Sequence, residues 1–300
     1  MKKYTKINTL YKRYMFDPKD CPVEKWKKMR GNIIPYEFSD NTIKYLFHNN
    51  IMWEAYVKID GTNSKIAFFP STGEVRVEGK DENSKDQCGQ FKFLTEIAEK
   101  IQPILCEMFP KESARFGPVI SKETKKPVYY PDTEHCNTPV ETIEAGKMYG
   151  VQITELPIYI YGEYYGEGIQ ACGKRYIKGG HDFAVFDIDQ QGWWVPKDVR
   201  DEMCKKLGLK QVPFYGISSL PCIVDTVRQG FKTKVSGVED PTLLEEGLVC
   251  RPTVPLFDSR KERIIVKVKH SDYLKFDRAR NEFTVQEFDE FKDWYKENYK

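Results

Sequence analysis

Hydrophobic and polar residues fall into a regular pattern from about Trp53 onward. Alternation with a period of two predicts strands over Trp53–Ile59, Ser64–Phe69 and Glu74–Gly79, with Pro70-Ser71-Thr72-Gly73 as the turn between the last two. The period then lengthens. Phe91, Leu94, Ile97, Ala98, Ile101 and Leu105 recur at helical spacing and predict an amphipathic helix between Phe91 and Phe109. Strands are expected again at Ile158–Gly162, Phe183–Ile188 and Trp193–Val195, then a helix around Lys197–Leu207, then strands at Gly247–Arg251 and Arg263–Lys269. The stretch Thr284–Tyr299 reads as an amphipathic helix with Phe288, Phe291 and Trp294 on one side. The first fifty residues form a mixed lead-in with a short helix within Pro22–Arg30, and residues 110–150, rich in Pro, Lys and Thr, read as an irregular or hairpin excursion. Many strands with few strand–helix–strand alternations predict an α+β fold of antiparallel sheets with peripheral helices, not a doubly wound one. No internal repeat is visible, which argues against a solenoid.

Composition narrows this little. Three hundred residues, 40% hydrophobic and 31% charged, suit an ordinary soluble protein with a sizeable core. The net charge of +2 neither demands nor excludes a nucleic-acid partner, because a local basic groove is compatible with a near-neutral total. The eight cysteines are scattered singly, without zinc spacing, and no apolar run approaches membrane-spanning length. A reduced cytoplasmic protein with no membrane partner is therefore expected, in the host cytoplasm if the source is viral. No Gly-rich phosphate loop is present, so a nucleotide would have to be held by other means.

The most informative stretch is Glu54-Ala-Tyr-Val-Lys58-Ile-Asp60-Gly61-Thr-Asn63, in which a lysine ends an apolar strand and a tight Asp-Gly turn follows. Read structurally, this is a hairpin turn beside a solvated edge charge. Read chemically, it is a nucleophile held at the lip of a sheet. Arg263-Ile-Ile-Val-Lys267-Val-Lys269 places two lysines on one strand face, where they repel unless they share an anion; edge gatekeepers or a phosphate clamp would both explain them. A protonated amine is a poor nucleophile, and neighbouring cations favour its neutral form. Two acids complete the set. Glu163 directly follows an apolar strand, and Glu246, after Glu245, directly precedes one. Strand-end carboxylates are commonly just solvated, yet beside a nucleophilic lysine they suit a ribose hydroxyl and a hydrated Mg²⁺.

Taken in order, Lys58-Ile-Asp-Gly-Thr-Asn63, Ile160-Tyr-Gly-Glu163, Asp182-Phe-Ala-Val-Phe186-Asp-Ile188, Glu246-Gly-Leu-Val-Cys-Arg-Pro252 and Lys267-Val-Lys269 resemble the blocks of the covalent nucleotidyltransferases. Within that superfamily the chain is most similar to the phage-type RNA ligase 2 branch, by Asn63, by Gly162-Glu163 with Gly168-Ile169-Gln170, and by Phe183-Ala-Val-Phe186-Asp-Ile188. The resemblance implies a ligase adenylation domain, unrelated to ATP-grasp folds, over residues 50–270. Residues 1–49 would pack on it as a lead-in, and residues 271–300 would form a helical tail with no OB-fold. It implies ATP and Mg²⁺ (or Mn²⁺) as cofactors, and RNA with 5′-phosphate and 3′-hydroxyl ends as partner. Lys58 would take AMP as a lysyl-AMP, helped by Lys267 and Lys269 at the α-phosphate. Asp60, Gly61 and Asn63 would lie at the nucleotide, with Glu163 on the ribose, Phe186 on the adenine and Glu246 at the metal. Lys174, Arg175 and Lys178 would contact RNA, with Lys122, Lys125 and Lys126 as further candidates; as plain charge runs they would be solvated loop residues. Oligomeric state is left open, with a monomer as one reading.

Several positions depart from the pattern. Asp60 stands where this branch often has His, and Val57 stands where many relatives have an acid. The position of the usual Ser-Arg pair is filled by Gly79-Lys80, so Lys80 is assigned to the nucleotide with Arg76 as the alternative. Only thirty residues follow position 270, fewer than the C-terminal domain of the phage enzymes requires. A capping-type guanylyltransferase or a DNA ligase shares the Lys-x-Asp-Gly core, but both are expected to continue into an OB-fold. A non-catalytic RNA-binding relative is expected to have lost some of Lys58, Glu163, Glu246, Lys267 and Lys269, and all five are present.

Overall fold

In a computed structural model, residues 4–5, 7–49, 51–79, 91–117, 119–120, 127–128, 154–259 and 261–299 are described. Eight strands of four or more residues carry the two larger sheets. They are β1 (Met52–Lys58), β2 (Thr62–Phe69), β3 (Glu74–Gly79), β4 (Ile158–Gly166), β5 (His181–Gln190), β6 (Phe214–Ser219), β7 (Gly247–Pro252) and β8 (Val266–Lys269). Among the described residues, the helices of eight or more residues are α1 (Asn41–His48), α2 (Lys92–Met108), α3 (Lys197–Leu207), α4 (Leu220–Gln229), α5 (His270–Arg280) and α6 (Val285–Tyr299). All larger pairings are antiparallel. Among the described residues, only two-residue edge strands, Asn8–Thr9 on β8 and Lys210–Gln211 on β5, run parallel. The fold is α+β, as the strand pattern predicts.

The chain divides into two compact units, one of Tyr4 and the described residues of 61–212, the other of the described residues of 5–60 and 213–300. In the first, strands run Trp193–Trp194, β5, β4, β2, β3. One face of this sheet packs under α2 and α3, joining Ile66, Phe68, Ile160 and Val185 to Leu94, Ala98, Ile101 and Leu105, with Met203 and Leu207 beside them. The helical spacing of those α2 residues puts them on one stripe, and Pro103 on the exposed side costs one intrahelical hydrogen bond. Opposite them, Tyr159 and Tyr161 form a second small apolar cluster with Tyr4, Phe186 and Trp194 around it.

In the second unit the strand order is Asn8–Thr9, β8, β7, β1, β6. Trp53 and Ala55 of β1, Leu248 and Cys250 of β7, and Val266 and Val268 of β8 turn to one side, and α1 and α4 cover them with Ile43, Leu46, Phe47, Leu220, Ile223 and Val227. Helix α1 starts at Asp40, whose carboxylate accepts from the Thr42 and Ile43 N–H groups and satisfies two otherwise unpaired donors. Helix α6 starts with a reciprocal cap. The Thr284 N–H donates to the Glu287 carboxylate at 2.8 Å, and the Glu287 N–H to the Thr284 hydroxyl at 3.2 Å. Its Phe291 is fully buried against Tyr14, Phe16 and Trp26 of the first thirty residues, so both termini of this unit share one aromatic cluster.

Two expectations change. The strand expected over Arg263–Lys269 begins only at Val266. Ile264 and Ile265 are both buried, which breaks the alternation, and the Ile264 N–H donates to the Leu256 carbonyl at 2.9 Å outside any ladder. Strands β4 and β5 extend further than expected, because Glu163 to Gly166 pair on with His181 to Ala184, and Tyr164 and Tyr165 are buried there. Of the 110–150 excursion, the described part holds short antiparallel pairings of Val119–Ile120 with Pro127–Val128 and of Arg115–Gly117 with Thr154–Leu156. No helix among the described residues is long and apolar enough to cross a membrane.

Candidate active site

The candidate residues fall in both units. In the second, the register of β1, β7 and β8 places Lys58, Gly247 and Lys269 in one row across three strands. Their side chains lie on the face away from the core, since the intervening Val57, Leu248 and Val268 are buried. Gly247 must be glycine. Its φ is +155°, and a Cβ there would meet the Val268 carbonyl oxygen at 1.9 Å and Lys269 Cα at 2.9 Å. With no side chain in the middle of the row, two cations about two strand spacings apart, roughly 10 Å, view the same gap.

Glu246 fills that gap. One of its carboxylate oxygens accepts from Lys58 Nζ and the other pairs with Lys269 Nζ, at contact distance in both cases. The three side chains are 20%, 15% and 28% exposed, shielded enough for charge to matter and open enough for a ligand to reach. The backbone of Glu246 is pinned as well. His270 begins α5 directly after Lys269, and its N–H donates to the Glu246 carbonyl at 2.9 Å. Lys267 stands two residues back on the same face, in the row of Tyr56 and Val249. Neighbouring Glu245 is 1% exposed and accepts from the Thr233 hydroxyl and the Lys234 N–H. Asp60 lies half-buried just beyond β1.

In the first unit, Glu163 of β4 pairs across the sheet with Asn63 of β2 on one side and Ala184 of β5 on the other. A bulge between Tyr161 and Gly162 sets its position, and at Gly162 a Cβ would overlap the Phe183 ring at 2.4 Å. Gly61 is equally crowded, with a Cβ meeting the Tyr164 carbonyl oxygen at 2.6 Å and Glu163 Cγ at 2.8 Å. The Asp-Gly turn thus allows close backbone approach to Glu163 as well as a change of direction. Phe186 is half-buried and packs edge-on against Tyr4 at 5.0 Å. Tyr4 also donates a hydrogen bond to buried Asp187 at 2.6 Å. The same face holds a buried pair, Lys65 with Glu78 at 2.9 Å, and Lys65 Nζ lies 5.0 Å over the Tyr159 ring. Burial and the carboxylates Asp189 and Asp187 push the Tyr161 hydroxyl well above the usual tyrosine range, so it stays neutral.

The proposed RNA contacts Lys174, Arg175 and Lys178 are all exposed around a single helical turn, Gly173–Tyr176, which is anchored by buried Tyr176 against Tyr165. Lys174 pairs with Glu167 at 3.4 Å. The Gly179 N–H, first, and then the nearby lysines hold the Glu167 carboxyl below its ordinary range, so one anion sits within this basic loop. Lys80, Lys122, Lys125 and Lys126 lie outside the described residues. Arg76, the alternative to Lys80, pairs with Glu74 at 2.6 Å and stacks on Phe69 at 4.5 Å.

Residues on the lysine face were missed by sequence reading. Tyr56 donates to Glu54 at 2.7 Å, and Arg251 donates to the Tyr56 hydroxyl at 2.9 Å and to Glu54 at 3.2 Å while lying over the Tyr56 ring at 4.6 Å. The signal was present, since Glu54, Tyr56 and Lys58 share one parity along β1. Among the described residues no group of three or more His, Cys, Asp or Glu is placed to hold a metal. A lone carboxylate such as Glu246 still suits Mg²⁺, which keeps several waters and is completed by substrate phosphates.

No curated protein matches the chain. Among solved structures it is similar to the RNA ligase of Naegleria gruberi. An apo variant is 15% identical with a TM-score of 0.45, covering 78% of this chain and 55% of that one. A variant with AMP and Mn is 14% identical with a TM-score of 0.46, over 91% and 63%. A variant with ATP and Mn is likewise 14% identical at 0.46, over 92% and 63%. The chain thus spans less than two thirds of the length of these enzymes. Residues 52–269 match the RNA ligase family, from the start of β1 to the last residue of β8, and the chain belongs to that family.

Proposed function

We propose that this chain is an ATP-dependent RNA ligase of the phage-type RNA ligase 2 branch that works through a lysyl-AMP on Lys58, with residues 50–270 as its adenylation domain. The observation that carries the reading is the Lys58–Glu246–Lys269 group spread over three strands around Gly247. Glu246 accepts from Lys58 Nζ and so holds the amine at the lip of the row. Lys267 and Lys269 would face the phosphates of ATP, and Glu246 would hold Mg²⁺ or Mn²⁺. The metal supplies charge neutralisation at the phosphates.

Lys58 Nζ, its proton given up to solvent, then attacks the α-phosphorus of ATP. The N–P bond forms, the bond to the β-phosphate oxygen breaks, and pyrophosphate leaves. Lys267 and Lys269 stabilise the charge on the α-phosphate oxygens, a contribution of positioning and electrostatics. An RNA 5′-phosphate oxygen next attacks the same phosphorus and Lys58 leaves, regaining a proton. Finally the RNA 3′-hydroxyl oxygen attacks the 5′-phosphorus, giving its proton to solvent, and AMP departs. Glu163 on the ribose, Phe186 on the adenine, and Asp60, Gly61 and Asn63 at the nucleotide complete the assignment. Lys80 takes the remaining nucleotide contact, and Lys174, Arg175 and Lys178 contact RNA.

The test is joining of a 5′-³²P-labelled oligoribonucleotide to a 3′-hydroxyl acceptor with Mg²⁺ and either ATP or GTP. ATP-dependent formation of a phosphatase-resistant product supports the reading. Capture of GTP alone would move it to capping chemistry, and joining of DNA but not RNA would move it to DNA ligation.

A further inference from the structure

Arg200 of α3 is charged yet only 2% exposed, a costly burial unless its donors find acceptors. Docking of the helix does not explain it, since Met203, Cys204 and Leu207 already fix α3 to the sheet. Its guanidinium donates to the Phe186 carbonyl at 2.9 Å, to the Asp201 carboxylate at 3.1 Å and to the Gln211 side-chain oxygen at 3.3 Å. The first of these bonds reaches the backbone of the residue assigned to the adenine.

The register explains why that carbonyl calls for a donor. On one side of β5, Tyr161 pairs with Asp187 and Gly162 with Val185, so Phe186 is the extra residue of the bulge. On the other side, Lys210–Gln211 pairs with Ala184 and Val185, and Trp193–Trp194 with Asp189 and Gln190, so Phe186 again falls between partners. Arg200 stands at this gap, tied through Gln211 to the edge strand beside Val185. The bulge also sets what Phe186 faces. Val185 and Ile188 belong to the core under the helices. Phe186 and Asp187 both turn to the opposite face, where the Tyr4 ring packs on the first and its hydroxyl donates to the second. Phe186 is then two residues along β5 from Ala184, the cross-strand partner of Glu163. A one-residue slip in register would carry the ring to the other face, and the bond from Arg200 opposes that slip.

Resting on the ligase reading above and its assignment of Phe186 to the adenine, we infer that Arg200 is a positioning residue for nucleotide binding. By holding the bulged Phe186 carbonyl, it fixes the ring at the angle that stacks on the base of ATP. Its effect on the nucleotide passes through Phe186 and not through a contact of its own.

The test is a double-mutant cycle on the full chain with Phe186→Ala, Arg200→Met and the two together. Methionine keeps much of the length and removes the donors, while Asp201 retains Lys197 at 2.6 Å. The probe is ATP carrying a methylene bridge between its α- and β-phosphates, with Mg²⁺; it cannot release pyrophosphate, so calorimetry reads binding alone. Lysyl-AMP from labelled ATP is scored in the same preparations. Losing the base stack is expected to raise Kd at least about fivefold in Phe186→Ala. Arg200→Met is expected to raise it at least about threefold, and the double variant to match Phe186→Ala, because no ring remains to be positioned. An Arg200 that only supports the fold would lower the melting temperature and either leave Kd unchanged or multiply the Phe186→Ala effect, and either result overturns the inference. Arg200→Gln replaces Arg200→Met in the cycle if the latter does not fold; if neither folds, Arg200 is a residue of the fold and the inference falls. A wild type that forms no lysyl-AMP but shows the coupled changes in Kd would fail the ligase reading alone. A Phe186→Ala protein that binds like wild type would remove the adenine assignment, and the inference with it.

Discussion

Gly247→Ala is the most searching perturbation of the lysine row. The added Cβ would meet the Val268 carbonyl oxygen at 1.9 Å, where ordinary contact begins at 3.4 Å, so about 1.5 Å must be gained by separating β7 from β8. The Val268 oxygen belongs to the backbone and cannot swing aside, and the φ of +155° adds strain for any L side chain. Overpacking of this kind costs about 1–3 kcal/mol of stability. The functional cost is larger. A displacement of about 1 Å in a reacting constellation is worth about 100-fold in rate, and here Lys269 moves relative to Glu246 and Lys58. The assay is the single-turnover rate of lysyl-AMP formation from labelled ATP, with thermal melting as the check on folding. The expected result is a folded protein slowed about 100-fold or more. A folded Gly247→Ala protein that adenylylates within about threefold of wild type would refute the argument that the row's geometry sets the chemistry.

Other consequences are as direct. Glu246→Gln keeps the shape but removes the anion between Lys58 and Lys269, and lysyl-AMP formation measured at saturating Mg²⁺ is expected to fall at least about tenfold. Leu105→Ala empties a fully buried position under the first sheet and is expected to cost about 2–5 kcal/mol in denaturant unfolding. Among the cysteines of the described residues, thiol alkylation of the native protein at pH 8 is expected to mark exposed Cys106 and Cys222 first. Cys204 and Cys250 are expected to resist, since burial pushes the Cys204 thiol up to about 12 and Cys250 higher still; peptide mapping reads the order.

How much of this was legible in the sequence differs from element to element. Strand β1 and helix α2 were clear because burial on one face writes its period into the chain: Trp53, Ala55 and Val57 in one case, Leu94, Ala98, Ile101 and Leu105 in the other. Helix α5 was hidden. It buries Asp272, Tyr273 and Ala279, and Asp272 is paid for by Arg13 at 2.6 Å, a partner 259 residues away that no local pattern announces. Helix α4 did carry its signal in Leu220, Ile223 and Val227 with Pro221 at its start, and it was overlooked rather than absent. Lys58, Glu246, Lys267 and Lys269 were picked out by residue type and order, but their convergence depends on the β1–β7–β8 register, which is a tertiary fact. The same register explains why Glu245 and Glu246, identical in sequence terms, have different fates, and why Arg251 comes to rest on Tyr56.

The central claim is that Lys58 becomes covalently bonded to AMP. The most direct measurement is mass spectrometry of protease fragments after the protein has been incubated with ATP and Mg²⁺, with Lys58→Ala treated in parallel. The account requires an AMP adduct on the fragment containing Lys58, absent from the variant and lost when 5′-phosphorylated RNA is added. An adduct on another residue, or none in a folded protein supplied with ATP and metal, would contradict it.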